Sequence, residues 1–186
     1  MTPVNTSPLV SEAEFVDAIR SATHEVFATM LGVELSSGDV TTEKSMAAGP
    51  ASGVVSLIGL AGPLIGTGGM ACTGAVACAM AASLLGAPCE AVDESVLDAV
   101  GEITNMIIGN VKTVLEEKVG PMGLSIPTVI YGCNFQTRSA RIHEWTVVPF
   151  AWGEQRVFVQ LCVAPNADVA STGTQDSLQI PRLMTY

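Results

Sequence analysis

The sequence has few basic residues and one long segment without any charge. Lys and Arg number 8 against 18 Asp and Glu, so the formal net charge is −10. Nucleic acids and anionic membrane surfaces both require a basic patch, so this composition argues against either as a partner. No charged residue occurs between Lys44 and Glu90. Glycine and proline interrupt that segment before the ~20 apolar residues that a membrane-spanning helix needs, so we expect buried strands rather than a membrane hairpin.

The sequence also lacks the patterns of disulfide, zinc and secretory proteins. Its five cysteines are odd in number and contain no C-x-x-C pair, which indicates reduced thiols in a cytoplasmic protein. His24 and His143 are far apart and neither has a ligand-spaced neighbour, so we expect no zinc site. The N-terminal residues show no basic segment followed by an apolar run, and we expect no secretory signal there.

The length and the apolar composition predict a single α/β domain, which we place at residues 11–164, between a loose leader at 1–10 and a tail at 165–186. Apolar spacing predicts helices at 11–31, 73–85 and 93–120, and Ser11 with Glu14 forms a capping-box pattern. The first helix is interpreted as an amphipathic packing helix. Strands are predicted at 53–60, 65–71, 124–131, 139–149 and 156–164, and the loop at 33–50 has room for a short edge strand. The expected architecture is layered, with long helices packed on a mainly antiparallel sheet of about five to six strands.

The helix at 93–120 carries the most informative pattern in the chain. At 3.6 residues per turn, five residues fall within an arc of roughly 80°: Asp98, Glu102, Asn105, Gly109 and Lys112. We call these five residues the α3 stripe, because they lie on the third predicted helix. Val96, Val100, Ile103, Ile107, Val111 and Val114 lie on the opposite side and are predicted to be core. No Ser or Cys stands paired with a His at a readable spacing, so the pattern gives no support for covalent acyl chemistry. An amide beside an acid suits another task, because the amide can hold a water and the carboxylate can pair with a cation.

The α3 stripe resembles the helix of the CheC/CheX/FliY chemotaxis phosphatases. The matching pattern is Asp98-x-x-x-Glu102-x-x-Asn105-x-x-x-Gly109-x-x-Lys112, and the similarity extends to segments 26–32, 52–62 and 126–132. A bare Glu-x-x-Asn pair is weak, since about 0.3 are expected by chance in this composition. CheC and FliY proteins typically carry two such pairs, on pseudo-symmetric helices. This chain has one pair, and its first helix has no asparagine, so the resemblance is to the CheX branch.

The resemblance implies a phosphatase that acts on a phosphorylated, CheY-like response regulator. It implies that Asn105 orients the attacking water and that Glu102 contacts a lysine of the receiver domain. It assigns Asp98, Gly109 and Lys112 to substrate binding. The protein would have no cofactor of its own, because the receiver supplies Mg²⁺. The resemblance also implies a homodimer in which the sheet continues across the subunits.

Structural alternatives stand beside these roles. The residues alone favour, for Asp98, a charge that stabilises the positive end of the helix dipole over a docking role, and they favour a solvated surface lysine over a docking residue for Lys112. Gly109 would fit close packing of another helix of the same chain, as well as close approach of a partner. A carboxylate metal site at Asp93, Glu94, Asp98 and Glu102 is disfavoured, because no His lies on this helix. The alternative function is a non-catalytic scaffold module that binds a receiver or a motor protein.

Overall fold

The structure is a computed structural model that describes residues 10–43, 52–133 and 144–167. Most of the predicted leader and tail lies outside these residues, so their boundaries stay predictions. At the described ends, Val10 is buried in the core, and Asn166 bonds through its N–H to the Pro63 carbonyl at 2.8 Å.

Local capping signals define the ends of the helices. The helices are α1 (Glu12–Val26), which continues into a π-helical turn (Phe27–Leu31), α2 (Gly74–Leu85) and α3 (Glu94–Val119). The capping box of Ser11 and Glu14 is present. Asp93 caps α3 by accepting a hydrogen bond from the N–H of Val96 at 3.0 Å. Gly120 ends α3 with a positive φ of 91°.

The described strands form one antiparallel sheet. They are β1 (Ser36–Ser37), β2 (Thr41–Glu43), β3 (Ser52–Ala61), β4 (Leu64–Cys72), β5 (Gly123–Leu124), β6 (Thr128–Cys133), β7 (Trp145–Trp152) and β8 (Gln155–Pro165). The order across the sheet is β1-β7-β8-β4-β3-β5, while β2 also pairs with β7 and β6 also pairs with β3. The α/β layered class with a mainly antiparallel sheet is therefore confirmed.

The strand count is higher than the predicted five to six, with eight strands in the described residues. The loop after α1 contributes two short strands rather than one, and both pair with β7. The predicted strand 124–131 is divided into β5 and β6 around Pro127, which has no N–H to donate to a ladder. Of the predicted strand 139–149, residues 139–143 lie outside the described residues, and the remainder begins β7 at Trp145.

The helices pack on one face of the sheet and bury the main core there. The predicted core residues of α3 are nearly all confirmed: Val96, Val100, Ile103, Ile107 and Val111 are at most 1 % exposed. Val114 is the exception, because its side chain is 44 % exposed near the end of the helix. The opposite face of the sheet holds a smaller apolar cluster made of Val55, Ala71, Trp145, Val147 and Cys162. None of the described helices combines the length and the hydropathy needed to cross a bilayer.

Candidate functional site

The α3 stripe lies on the surface of the helix that is otherwise the most deeply packed. Asp98 and Glu102 are exposed, while Asn105, Gly109 and Lys112 are partly exposed. Most of the residues between them are buried, because α3 contacts the sheet as well as α1 and α2, whereas Met106 and Asn110 are partly exposed. Residues three and four apart on a helix are surface neighbours, so Glu102 and Asn105 present their side chains side by side.

Glu102 and Asn105 have free side chains within the described part of the chain. The α3 side chains that form hydrogen bonds there are those of Asp93, Thr104, Lys112, Thr113, Glu116 and Lys118. An amide and a carboxylate without internal partners keep their full capacity to bind water, a cation or another protein. This arrangement is open to a ligand from solution.

Gly109 is not required by the packing of the described residues. A Cβ placed on it would find its nearest neighbour, Cδ1 of Leu124, 4.0 Å away. Glycine inside a helix costs about 1 kcal/mol relative to alanine. Close internal packing, one of the two explanations considered above, therefore does not account for this residue.

The remaining two stripe residues are Lys112, which forms an ion pair with a neighbour on α3, and Asp98, which lies near the start of the helix. Lys112 donates to Oε2 of Glu116 at 2.8 Å, and Oε1 of Glu116 accepts from the N–H of Met122 at 2.6 Å. The hydrogen bond from Lys112, followed by the one from Met122, lowers the pKa of Glu116. Asp98 is the fifth residue of α3 and lies beyond the first turn, which Asp93 caps. The favourable effect of a negative charge on the helix dipole is largely confined to the first turn, so it does not account well for Asp98.

The connection between β5 and β6 lies beside the stripe, and the sequence patterns give it no role. The backbone between β5 and β6 runs along α3, and a Cβ on Gly101 would lie 3.3 Å from Val129 and 3.5 Å from Pro127. Glu94, Leu97 and Asp98 line the shallow groove between this segment and α3, together with Gly101, Pro127 and Val129. Ile126 is 86 % exposed. The proline within an otherwise strand-like run was the available signal of this break.

Comparisons of the sequence point to one family. The sequence model of the family described as "Chemotaxis phosphatase CheX" matches residues 54–151, which include all five residues of the α3 stripe. No curated protein matches the chain significantly.

Solved structures with the same fold give a consistent result. A CheC-like superfamily protein from Shewanella sp. PV-4 is 26 % identical with a TM-score of 0.74, over 83 % of this chain and 99 % of that one. The chemotaxis protein CheX from Vibrio vulnificus is 27 % identical with a TM-score of 0.72, over 81 % and 99 %. The CheX of the CheX–CheY–BeF3–Mg²⁺ complex from Borrelia burgdorferi is 24 % identical with a TM-score of 0.69, over 80 % and 97 %.

Proposed function

Because the chain belongs to the CheX family of chemotaxis phosphatases, we propose that it dephosphorylates the aspartyl phosphate of a CheY-like response-regulator receiver domain. The observation that carries the proposal is the pair of an exposed Glu102 and a partly exposed Asn105, whose side chains have no hydrogen-bond partner among the described residues. The Borrelia relative is named in complex with CheY, BeF3 and Mg²⁺, which supports a receiver as the partner of this chain.

Asn105 is the catalytic residue of the proposed reaction. Its carboxamide enters the receiver's active site, accepts a hydrogen bond from a water and holds that water in line with the phosphorus. The water oxygen forms a bond to phosphorus while the bond from phosphorus to the aspartyl oxygen breaks, which gives inorganic phosphate and a free aspartate. Positioning carries most of the catalysis in phosphoryl transfer, and a misplacement of ~1 Å can cost on the order of 100-fold in rate. The receiver supplies the Mg²⁺.

Glu102 fixes the orientation of the two proteins. Its exposed carboxylate pairs with the lysine of the receiver's active site, and that pair becomes strong once docking removes water from around it. Asp98 and Lys112 flank the pair along the stripe and contact the receiver at its rim. Gly109 lets the receiver's backbone approach the helix, which agrees with the open space around it.

We further propose that the protein is a cytoplasmic homodimer. Strand β6 pairs only with β3 among the described strands, which leaves its other edge available for a second copy. Cysteines without disulfides in the described residues agree with a reducing compartment. Sedimentation equilibrium tests the dimer, and a monomer at all concentrations from 1 to ~100 μM would refute it.

The decisive experiment follows phosphate loss from a CheY-type receiver that has been phosphorylated with acetyl phosphate in the presence of Mg²⁺. The wild-type protein accelerates the loss, and Asn105→Ala reduces that acceleration by on the order of 100-fold or more. Asn110→Ala is the matched control, because Asn110 is also a partly exposed asparagine of α3 but lies on another face. Equal rates for wild type and Asn105→Ala would refute the catalytic assignment. Binding of the receiver without any acceleration would instead support the scaffold alternative.

A further inference from the structure

The strand pairing on the two sides of the β5–β6 connection differs by one residue in register. The flanking pairs with β3 are Leu57 with Thr128 and Leu60 with Leu124. Residues 58–59 of β3 therefore face residues 125–127, so two residues oppose three. This is the arrangement of a β-bulge, which bends a strand and re-aims a side chain, and which is over-represented next to active sites.

Ile126 is the extra residue of this bulge. Ser125 keeps its place opposite Gly59, because its N–H donates to the Gly59 carbonyl at 2.9 Å and its Oγ accepts from the Gly59 N–H at 2.9 Å. The register of β6, continued by one residue, places Pro127 opposite Ile58. Ile126 is left without a residue of β3 to face.

The side chain of Ile126 is the most exposed large apolar side chain in the described ranges. It is 86 % exposed, and the next, that of Leu85, is 53 % exposed. A single exposed apolar side chain is ordinary on a protein surface. The bulge and its position distinguish Ile126 from such a residue, because they place the side chain beside the α3 stripe.

Two contacts fix that position along α3. On one side of Ile126, Cδ1 of Leu124 is the nearest neighbour of a Cβ placed on Gly109, at 4.0 Å. On the other side, Cγ of Pro127 would lie 3.5 Å from a Cβ on Gly101. Ile126 therefore lies alongside the two helical turns between these glycines, which carry the carboxamide and the carboxylate of the α3 stripe.

The order of the residues around α3 is equally informative. At about 100° per residue, Asn105 falls between Gly101, which faces the β5–β6 connection, and Glu102. The carboxylate of Glu102 thus lies on one side of the amide, and Ile126 lies on the other. A partner that receives the amide would meet a charged contact and an apolar contact on opposite sides of it.

The backbone that carries Ile126 is held on both sides. Besides its two hydrogen bonds to β3, Ser125 donates from its Oγ to the carbonyl of Ile126 at 2.8 Å. Pro127 has a fixed φ and lies against α3. A side chain on a fixed backbone loses little conformational freedom when it binds a partner, so Ile126 is suited to recognition.

We propose that Ile126 is a positioning residue, which docks on an apolar surface of the phosphorylated receiver next to its phosphorylated aspartate. The inference rests on the proposed function of α3. Burial of the isoleucine side chain adds affinity, and its fixed place beside Asn105 sets the angle at which the amide enters the receiver. A misplacement of ~1 Å can cost on the order of 100-fold in rate, so a second contact point beside the charged one serves the reaction.

A second copy of this chain is the other candidate for contact with Ile126, since β6 follows the bulge and has an available edge. The receiver is favoured because the bulge packs along α3 and its surface is continuous with the α3 stripe. The two partners make different predictions for variants of Ile126.

Affinity for the receiver tests the proposal. The probe is a CheY-type receiver held in its phosphorylated state by BeF3⁻ and Mg²⁺, and the readout is titration calorimetry. Ile126→Ser raises Kd about tenfold or more, because binding no longer buries the apolar side chain. Ile126→Leu keeps the apolar surface and stays within about threefold of wild type. Val114→Ser is the matched control and leaves Kd unchanged, because Val114 is 44 % exposed but lies on the side of α3 opposite the stripe.

Two further readouts distinguish an apolar contact from a structural role. The heat capacity change of binding becomes less negative in Ile126→Ser, because less apolar surface is buried. The loss of affinity in Ile126→Ser persists at high salt, whereas the loss in Glu102→Gln diminishes as salt screens the charge. The urea midpoint of Ile126→Ser equals that of wild type, since the side chain is exposed. If that midpoint falls, Ile126→Thr takes its place in the binding experiment, because threonine keeps the β-branched side chain.

Wild-type affinity in Ile126→Ser, or a heat capacity change of binding equal to that of wild type, would overturn the proposal. Weaker dimerisation of Ile126→Ser in sedimentation equilibrium, with unchanged receiver affinity, would also overturn it and would assign Ile126 to a contact between copies. Failure of the proposed function is distinguishable, because the wild-type protein would then neither bind the receiver nor accelerate its loss of phosphate.

Discussion

Gly68 and Ile108 determine how closely α3 lies on the sheet. A Cβ added to Gly68 in the centre of β4 would lie 2.8 Å from Cδ1 of Ile108, and Ile108 is fully buried. Cγ2 and Cγ1 of Ile108 would also lie only 3.1 and 3.2 Å from the added Cβ, and the restricted χ1 of a β-branched residue in a helix holds both atoms in place. This contact sets the depth of the helix that carries Glu102 and Asn105.

The first prediction follows from that contact. Gly68→Ala lowers the free energy of unfolding by about 1–3 kcal/mol, because overpacking forces α3 away from the sheet. Ile108→Val removes Cδ1, and in the double variant it recovers part of the loss. Urea denaturation of the single and double variants measures both effects. Strictly additive losses would show that the two residues do not compete for the same space.

The second prediction concerns Gly109. Gly109→Ala raises the free energy of unfolding by about 1 kcal/mol, because alanine favours the helix and no described atom lies closer than 4.0 Å to the new Cβ. The same change lowers kcat/KM for the phosphorylated receiver, since the methyl group obstructs the docked backbone. The control variant Asn110→Ala should also gain helix stability, but its kcat/KM for the phosphorylated receiver should not decrease. Unchanged kcat/KM in Gly109→Ala would exclude a role for the glycine in docking.

The third prediction separates the structural and functional roles of Lys112. Its ion pair with Glu116 is partly exposed, so Lys112→Met changes the free energy of unfolding by no more than about 1 kcal/mol. If Lys112 contacts the receiver, the variant raises KM severalfold at low salt while kcat stays unchanged. The difference in KM between the variant and the wild-type protein diminishes as salt screens the charge of Lys112. A variant with wild-type KM at every salt concentration would identify Lys112 as a surface residue only.

The fourth prediction uses the pH dependence of stability. Glu14 accepts hydrogen bonds from Lys118 and from the N–H of Ser11, and these hold its pKa at about 2, below the ordinary value of 4.5. A carboxyl group whose pKa is lower in the folded state stabilises the fold at pH values above its ordinary pKa. This contribution is lost as the pH falls from about 4.5 to about 2. Glu14→Gln is therefore less stable than wild type at pH 7, and the difference disappears near pH 2.

The control for that measurement is Glu25→Gln, on the same helix. The carboxylate of Glu25 has no hydrogen-bond partner among the described residues, so this variant controls for the replacement of a carboxylate by an amide on α1. The urea midpoint at each pH measures both variants. A difference between wild type and Glu14→Gln that stays constant down to pH 2 would contradict the role of the Lys118 and Ser11 contacts.

Features that depend on residues close in sequence were predicted more completely than features that depend on contacts between distant residues. The capping box of Ser11 and Glu14 and the limits of the three helices depend on residues close in sequence, and the structure has them. The connection between β5 and β6 was not predicted, because Ser125 bonds to Gly59, a residue 66 positions away. Val114 was wrongly predicted to be a core residue for a related reason. The apolar period of α3 does not show where the elements that pack against the helix end.

The sequence by itself determined that Glu102 and Asn105 share one face of a helix, because the 3.6-residue period fixes that relation within a single segment. Only the tertiary structure decided that this face stays open while the opposite face of α3 is largely covered, and that Gly109 has space around it. Burial of this kind arises from contacts between distant segments, which no local spacing encodes.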